Sequence, residues 1–319
     1  MRVAVVLIGR NEGARLVASL ASLSGQGLRL VYVDSGSTDD SVAAARAAGA
    51  EVVDLDAATP FTAARGRNAG FQALGDDLPD AVQFIDGDCI VVPGWIDRAV
   101  ATLRAQDSIG LVTGWRSEIH PEASVYNALC NHEWHRPAGD ITTCGGDMMV
   151  RVAAYQQAGG FDGTVIAAED DEFCQRLRKA GWRMHRLAEP MTRHDAAMRT
   201  FGQWWRRAVR SGHGFAQVGD MHPGYFARER LRVWVYGLLL PGLALVGLVW
   251  WPLLVLVLAA YGLSYAKSVQ GLRREAMPMP QALHHAVFLT LSKFPNLIGM
   301  LTYHARKRRG AAMRIIEYK

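Results

Sequence analysis

Two short acidic clusters hold the residues best suited to chemistry. In FIDGDCIVV, residues 84–92, Asp86 and Asp88 flank Gly87 inside a run that otherwise reads as a buried strand. Burying both carboxylates without partners costs several kcal/mol. In an extended segment residues i and i+2 project to one face, so the pair presents two oxygen ligands together. That donor set, completed by water and phosphate oxygens, suits Mg²⁺ or Mn²⁺. A cation there holds a diphosphate and stabilises charge developing on a leaving phosphate. The plain alternative is a polar turn with two solvated aspartates, and D-x-D alone does not separate the two. The second cluster, Glu169-Asp170-Asp171-Glu172, places four acids at a helix start. The helix dipole favours each acid by a few tenths to about 1 kcal/mol, and one would suffice for that. Gly159-Gly160-Phe161-Asp162 just before it supplies a tight turn. A carboxylate so placed suits a general base, contributing roughly 10²- to 10⁴-fold.

The elements that position these clusters follow from hydrophobic periodicity. Arg2 to Ile8 is a continuous β-branched run, as in a buried parallel strand. Leu16, Val17, Leu20 and Leu23 then recur at helical spacing, and a second strand, Leu30 to Val33, ends at Asp34. Ser35 to Asp39 forms a turn and helix cap before an Ala-rich helix from Val42 to Ala48. Further strands are expected at Glu51–Asp54, Ala81–Ile85, Ile109–Val112 and Trp182–Leu187. Helices are expected at Trp95–Ala105, Arg151–Ala158 and from Glu169 to Ala180, with residues 114–140 irregular. Strands alternating with helices imply an α/β fold, a mostly parallel sheet covered on both faces. Such sheets bind ligands beyond the carboxyl ends of their strands. Asn11, Asp34 and the Asp86/Asp88 pair all follow strand ends, so the polar groups gather on one rim.

Composition narrows the classes. The chain has 319 residues, 50% hydrophobic and 20% charged, with formal net charge +5. The excess is too small and too localised for a nucleic-acid partner, and none is expected. Cys89, Cys130, Cys144 and Cys174 show neither CxxC nor zinc spacing, and read as small buried thiols in a reducing compartment. The apolar start MRVAVVLIG runs at once into RNEG without a small-residue cleavage site, so it reads as a first strand, not a signal peptide.

Six motifs in order carry a resemblance: GRNEG, VDSGSTDDS, ARGRNAGF, FIDGDCIVVPGW, GGDMMVRVAAYQQAGGFDG and AEDDEFCQRLRKAGW. Over about residues 1–215 the chain resembles the inverting nucleotide-sugar glycosyltransferases of family 2, of the bacterial membrane-associated type, with the GT-A fold. The resemblance implies transfer of a sugar from a nucleoside diphosphate to an acceptor hydroxyl, with Mn²⁺ or Mg²⁺ as cofactor. It assigns Asn11, Glu12 and Asp34 to the nucleoside pocket, Arg65, Arg67 and Asn68 to the nucleotide, and Asp86 to ribose or metal. Asp88 would be the principal metal ligand. Gly145, Gly146, Asp147 and Glu169 would border sugar or acceptor. Asp170 would be the base, with Asp171 its rival. Gln203-Trp204-Trp205-Arg206 matches the QxxR of processive members but lacks the final Trp, which implies one sugar added per event.

The histidines stay open between roles. His194, in TRHD after a strand, is either a further metal ligand or structural. His213 would touch the diphosphate together with Arg206 or Arg210, which are placed on the sugar and acceptor side. His132 and His135 would face the acceptor or simply pack a loop.

The C-terminal part changes character. From Val233 to Ala266 no Asp, Glu, Lys or Arg occurs, a run longer than the roughly 20 residues that cross a bilayer once. Arg228, Arg230 and Arg232 precede it, and Lys267, Arg273 and Arg274 follow it. Basic residues on both flanks place both ends on the cytoplasmic side, which a hairpin over 233–266 satisfies. Residues 282–303, with His284, His285, Lys293 and Pro295, read as an interfacial amphipathic segment before the basic tail at Arg306–Arg309. The expected organisation is a catalytic domain at 1–228 and a membrane-associated region at 229–319. The expected location is the cytoplasmic face of the inner membrane. The expected acceptor is a lipid-linked or membrane-proximal glycan of cell-envelope or exopolysaccharide synthesis. Two other readings stand beside this one. A nucleotidyltransferase would need a Gly-rich phosphate loop and a Lys after the first strand, which GRNEG lacks. A degenerate GT-A domain that only binds or scaffolds would need no base.

Overall fold

In a computed structural model, which describes residues 1–317, the chain divides into two compact units that meet at Ala197–Met198. The first begins with β1 (Val3–Gly9), α1 (Ala14–Leu23), β2 (Arg29–Asp34), α2 (Ser41–Ala47), β3 (Glu51–Asp54) and α3 (Ala63–Gln72). It continues with β4 (Ala81–Asp86), β5 (Cys89–Val91), α4 (Trp95–Ala105), β6 (Ile109–Glu118), α5 (Val125–Trp134) and β7 (Gly139–Ile141). It closes with β8 (Met148–Arg151), α6 (Val152–Ala158), α7 (Glu169–Lys179) and β9 (Arg183–His194).

The unbroken apolar character of β1 is explained by burial on both faces. Ala4, Val6 and Ile8 enter one core cluster, and Val5 and Leu7 enter the other. The sheet order is β3-β2-β1-β4-β8-β6-β9-β5, with β7 pairing β9. β1 to β4, β6 and β9 run one way, and β8, β5 and β7 run against them, so the sheet is mixed. The ends of β1, β2, β4, β6 and β9 therefore share a rim with the start of the antiparallel β8. Helix α3 lies very close on β1: a Cβ on Gly70 would overlap the Val6 side chain. Glycine there lets the helix approach the strand.

Two local expectations are corrected and one is extended. Residues 114–140 are not irregular: β6 runs on to Glu118, and α5 and β7 follow. β6 extends because it continues to pair with the long β9 across several register shifts. The helix expected at Arg151–Ala158 is present as α6, and β8, pairing with β4 and β6, is added between the Gly145-Gly146 pair and that helix. The segment 282–303 is not one interfacial helix. It divides at Ser292 into α12 (Met279–Leu291) and α13 (Lys293–Arg308).

The second unit is helical: α8 (Phe201–Met221), α9 (Ala227–Trp234), a π-helical turn at Val235–Leu239, α10 (Leu240–Gly247), α11 (Trp251–Arg274), α12 and α13. Helix α8, which the sequence grouped with the catalytic domain, packs along α13 in this unit. Leu297, Met300 and Tyr303 of α13 are buried with Ala216 of α8 and Val233 of α9. Two stretches, Ala227–Gly247 and Trp251–Arg274, are long and apolar enough to cross a membrane by length and composition. Only 17% and 6% of their most apolar windows are buried, so neither is a core helix of this unit.

Candidate active site

β4 delivers Asp86 to the rim, and the turn that follows delivers Asp88. Asp86 sits between two arginines. Its Oδ1 accepts from Arg67 Nη2 at 2.9 Å, and its Oδ2 accepts from Arg116 Nη2 at 3.2 Å. Burial works against ionisation, but Arg116 and Arg67 outweigh it and hold Asp86 below the usual carboxylate range. Asp88 is 5% exposed, and its Oδ2 lies 3.2 Å from His194 Nε2. The other ring nitrogen of His194 faces Glu118 Oε2 at 3.9 Å. Burial alone would lower the His194 pKa, but Asp88 and then Glu118 turn the shift upward. A pocket of about 200 Å³ opens beside Asp88, lined by Ala14, Arg15, Ile90, Ile119, His120 and Asp195.

The start of β8 completes this rim. Asp147 is 1% exposed and fully engaged. It accepts from Arg116 Nε at 2.9 Å, from Thr192 Oγ1 at 2.6 Å and from the Asp86 amide at 3.2 Å. Arg67, only 2% exposed, also donates to Glu169 Oε1 at 2.7 Å. Its guanidinium lies 5.4 Å from the Phe161 ring centroid. Gly146 has no side chain because a Cβ there would overlap Arg67 Nη2.

Helix α7 carries the second acidic cluster. Asp170 is half-buried and its Oδ1 accepts from the Asp171 amide at 2.9 Å. Burial, then the charges of Glu169 and Asp171, raise its pKa well above the carboxylate range, with Arg67 pulling weakly the other way. Asp171 accepts from the Thr143 hydroxyl. A Cβ on Gly145 would sit 4.0 Å from Asp170 Oδ2, so the Gly-Gly loop passes beside that carboxylate.

The structure thus brings Arg67, Asp86, Gly146, Asp147 and Glu169 into one network. Asp170 and Gly145 adjoin it, and Asp88 and His194 form a pair at its edge. Other expected site residues turn toward protein partners. Arg65 donates to the carbonyls of Thr59 and Pro60 at 2.6 and 2.7 Å. Asn68 donates to Phe161 O and accepts from Phe161 N and the Tyr155 hydroxyl. Asp34 is 3% exposed and accepts from the Gly36 and Ser37 amides and the Tyr32 hydroxyl. Asn11, at φ 55, accepts from the Thr38 amide, and the Glu12 amide donates to Ser41 Oγ. Asp34, Asn11 and Glu12 therefore shape the loop at the end of β1 and β2. Arg206 and Arg210 lie on α8 in the second unit. His213 is fully buried against Tyr303, and burial, then Arg306, pull its pKa down to about 4. It is a packing residue, not a diphosphate contact. His135 Nδ1 donates to Asn131 O, and its ring lies tilted near that of Trp115. All four cysteines are free and buried.

Arg116, Glu118 and Thr192 were not anticipated from sequence. The available signal was spacing: Arg116 and Glu118 are i, i+2 at a strand end on the rim, as are Thr192 and His194.

A divalent cation fits the edge of this network. Asp88, Cys89 and His194 can each offer an atom within 4.8 Å of the others, as can Asp86, Cys89 and Asp147. The first group has a carboxylate and an imidazole side by side, with Glu118 behind the ring, an arrangement that orients a ligating histidine. In the second, Asp86 and Asp147 already spend their oxygens on arginines.

The glycosyl transferase family 2 model matches residues 4–156, and the glycosyl transferase family group 2 model matches residues 82–292. A pre-mycofactocin glycosyltransferase of Mycobacterium tuberculosis is 27% identical over 237 residues, covering 69% of this chain and 48% of that protein. The chain thus spans about half the length of the curated relatives it matches. Among solved structures, the mannosyltransferase PcManGT of Pyrobaculum calidifontis, in complex with GDP-Man and Mn²⁺, aligns at a TM-score of 0.58. Its identity is 18%, covering 96% of this chain and 88% of that one. S. aureus TarS 1-349 in complex with UDP-GlcNAc aligns at 0.51 with 16% identity, covering 98% and 93%. Both likenesses concern the fold.

Proposed function

The chain belongs to the family 2 glycosyltransferases, and from that membership we propose that it is a metal-dependent, inverting enzyme working on a membrane-proximal acceptor. The donor is a nucleoside-diphosphate sugar, the ligand class named for the mannosyltransferase and for TarS. The observation that carries this reading is the Asp88–His194 pair, a buried carboxylate 3.2 Å from an imidazole at the strand-end rim. Asp88 and His194 would hold Mn²⁺ or Mg²⁺, which when bound stabilises negative charge on the departing diphosphate.

The chain's own residues supply the rest. The loop built by Asn11, Glu12 and Asp34 walls the nucleoside side. Asp170, its proton affinity raised by burial and then by the charges of Glu169 and Asp171, accepts the acceptor hydroxyl proton. The acceptor oxygen forms its bond to the anomeric carbon as the bond to the diphosphate oxygen breaks on the opposite face. One such displacement inverts the anomeric configuration. Gly145, where a Cβ would stand 4.0 Å from Asp170 Oδ2, borders the acceptor sugar. The apolar helices Ala227–Gly247 and Trp251–Arg274 support membrane association, and the arginines and lysine on both outer ends favour the cytoplasmic face of the inner membrane. A lipid-linked or membrane-proximal glycan acceptor follows from that placement.

The test uses the full chain in detergent with UDP-, GDP- and dTDP-sugars, with Mn²⁺, with Mg²⁺ and with chelator. Metal-dependent binding and slow hydrolysis of one donor, lost in Asp88→Ala, is the expected result. A folded protein that binds none of them is a degenerate domain, and the proposal fails.

A further inference from the structure

We propose that Arg67 is a positioning residue that sets the base-bearing helix against the donor-side carboxylate, and that position 146 is glycine to let it do so. The inference rests on the glycosyl-transfer reading above and extends it to residues that do not touch substrate.

Five alternating charges run along the rim: Asp147, Arg116, Asp86, Arg67 and Glu169. Each link is short. Arg116 Nη2 lies 2.6 Å from Asp147 Oδ1 and 3.2 Å from Asp86 Oδ2. Arg67 lies 2.9 Å from Asp86 Oδ1 and 2.7 Å from Glu169 Oε1. The series starts at the loop before β8, crosses the end of β4 and finishes on the first residue of α7. The next residue is Asp170. Within this series, Arg67 is the member that joins the Asp86 side of the site to the helix that carries the proposed base.

Arg67 suits a positioning role better than a substrate contact. It is 2% exposed, and its forked guanidinium spends one nitrogen on each carboxylate. The Phe161 ring lies beside it, and Asn68, the next residue on α3, grips the Phe161 backbone through both amide atoms. The guanidinium is thus fixed at its plane and at its ends. Gly146 is the remaining constraint. Any side chain there would strike Arg67 Nη2, the nitrogen that reaches Asp86, and a Cβ would also come within 3.5 Å of Asp86 Oδ1. The second glycine of the pair keeps the Arg67–Asp86 link open.

This makes a prediction of coupling. Catalysis depends on placing acceptor, base and donor together, and a small misplacement costs on the order of 10²-fold. Gly146→Ala and Arg67→Lys are made singly and together in the full chain. Donor hydrolysis is measured with UDP-GlcNAc and GDP-mannose plus Mn²⁺, alongside thermal unfolding. Each single variant is expected to lower kcat by about 10- to 100-fold while the donor KM stays within about twofold. The double variant is expected to match the worse single one, because both sever the same link. Should Arg67→Lys not fold, Glu169→Gln, which cuts the far end, replaces it in the cycle. Losses that multiply in the double variant, or that appear in KM with kcat retained, overturn the inference and leave the transfer reading intact. A wild-type protein that hydrolyses no donor overturns both. In that case a coupled shift in unfolding temperature would assign the clamp to stability alone.

Discussion

Asp170 is the second residue of α7, with an acid on each side and the Gly-Gly loop close by, and its raised pKa follows first from burial and then from the charges of Glu169 and Asp171. A base of this kind keeps its proton at pH values where an ordinary carboxylate has lost it. The ionised form that can accept a proton accumulates only above its folded pKa. The acid limb of kcat/KM should therefore lie higher than the usual carboxylate range, where Glu169, Asp171 and Arg67 together set it. Replacing Asp171 by Asn removes one of the charges that raises Asp170. The limb should move to lower pH with the plateau kept within about threefold, measured as a pH–rate profile. If Asp171 were itself the base, the plateau would collapse. Asp170→Asn should lower turnover by roughly 10²- to 10⁴-fold and leave donor binding in place. The acids were readable in the sequence because their spacing conflicts with a buried strand or exceeds what a helix cap needs. Their partners were not. Arg116 and Thr192 come from strands far along the chain, and only pairing of β6 with β8 and β9 brings them to Asp147.

At the level of elements, the site depends on how closely α3 rides on β1. Gly70 sits against Val6 with no space for a Cβ, so Gly70→Leu should push the helix off the strand. Overpacking of this kind costs about 1–3 kcal/mol, read as a lower midpoint in denaturant unfolding of the full chain. Asn68→Ala should act through the same helix, because Asn68 ties α3 to the Phe161 turn by two hydrogen bonds and to Tyr155 by a third. Leaving those partners unsatisfied costs about 1–3 kcal/mol, and the unfolding midpoint should fall correspondingly. The first four strands and α4 were legible because their apolar runs are continuous and end at turns or aspartates. Strand β8 was hidden behind its glycines: four residues, MMVR, give too short a pattern, and antiparallel pairing with β4 and β6 makes it a strand. Helix α5 was hidden for a different reason. Its sequence VYNALCNHEW mixes aromatic and polar residues without a clean apolar face, and its start is fixed by the Ser124 side chain capping the Asn127 amide.

At the scale of the whole molecule the second unit carries a surface that water does not favour. Leu245 is 69% exposed, Leu248 72%, Val249 93%, Trp251 72% and Leu256 64%, all within or between the two long apolar stretches. Exposed apolar area of that extent marks a surface that meets another apolar phase. Hydrocarbon fits the charge-free run Val233–Ala266, which is longer than the roughly 20 residues that one span needs. Arginines and a lysine flank the hairpin on both outer ends, and the turn at Leu248–Trp250 carries no charge, so a two-span hairpin with its turn outside satisfies the charge rule. Single cysteines at Val249, Arg228 and Arg274 test this, and the four native cysteines, all buried, leave the background low. In intact cells an impermeant thiol reagent should label Val249→Cys alone, and Arg228→Cys and Arg274→Cys should react only after the membrane is opened. Labelling of all three from outside would overturn the proposed cytoplasmic placement of the two flanks. A change near the middle of the second charge-free leg, Leu258→Arg, should weaken insertion by about 2.5–3.5 kcal/mol. That loss would appear as a shift of protein from the membrane to the soluble fraction, whereas an unchanged distribution would mean that the apolar face docks on protein instead.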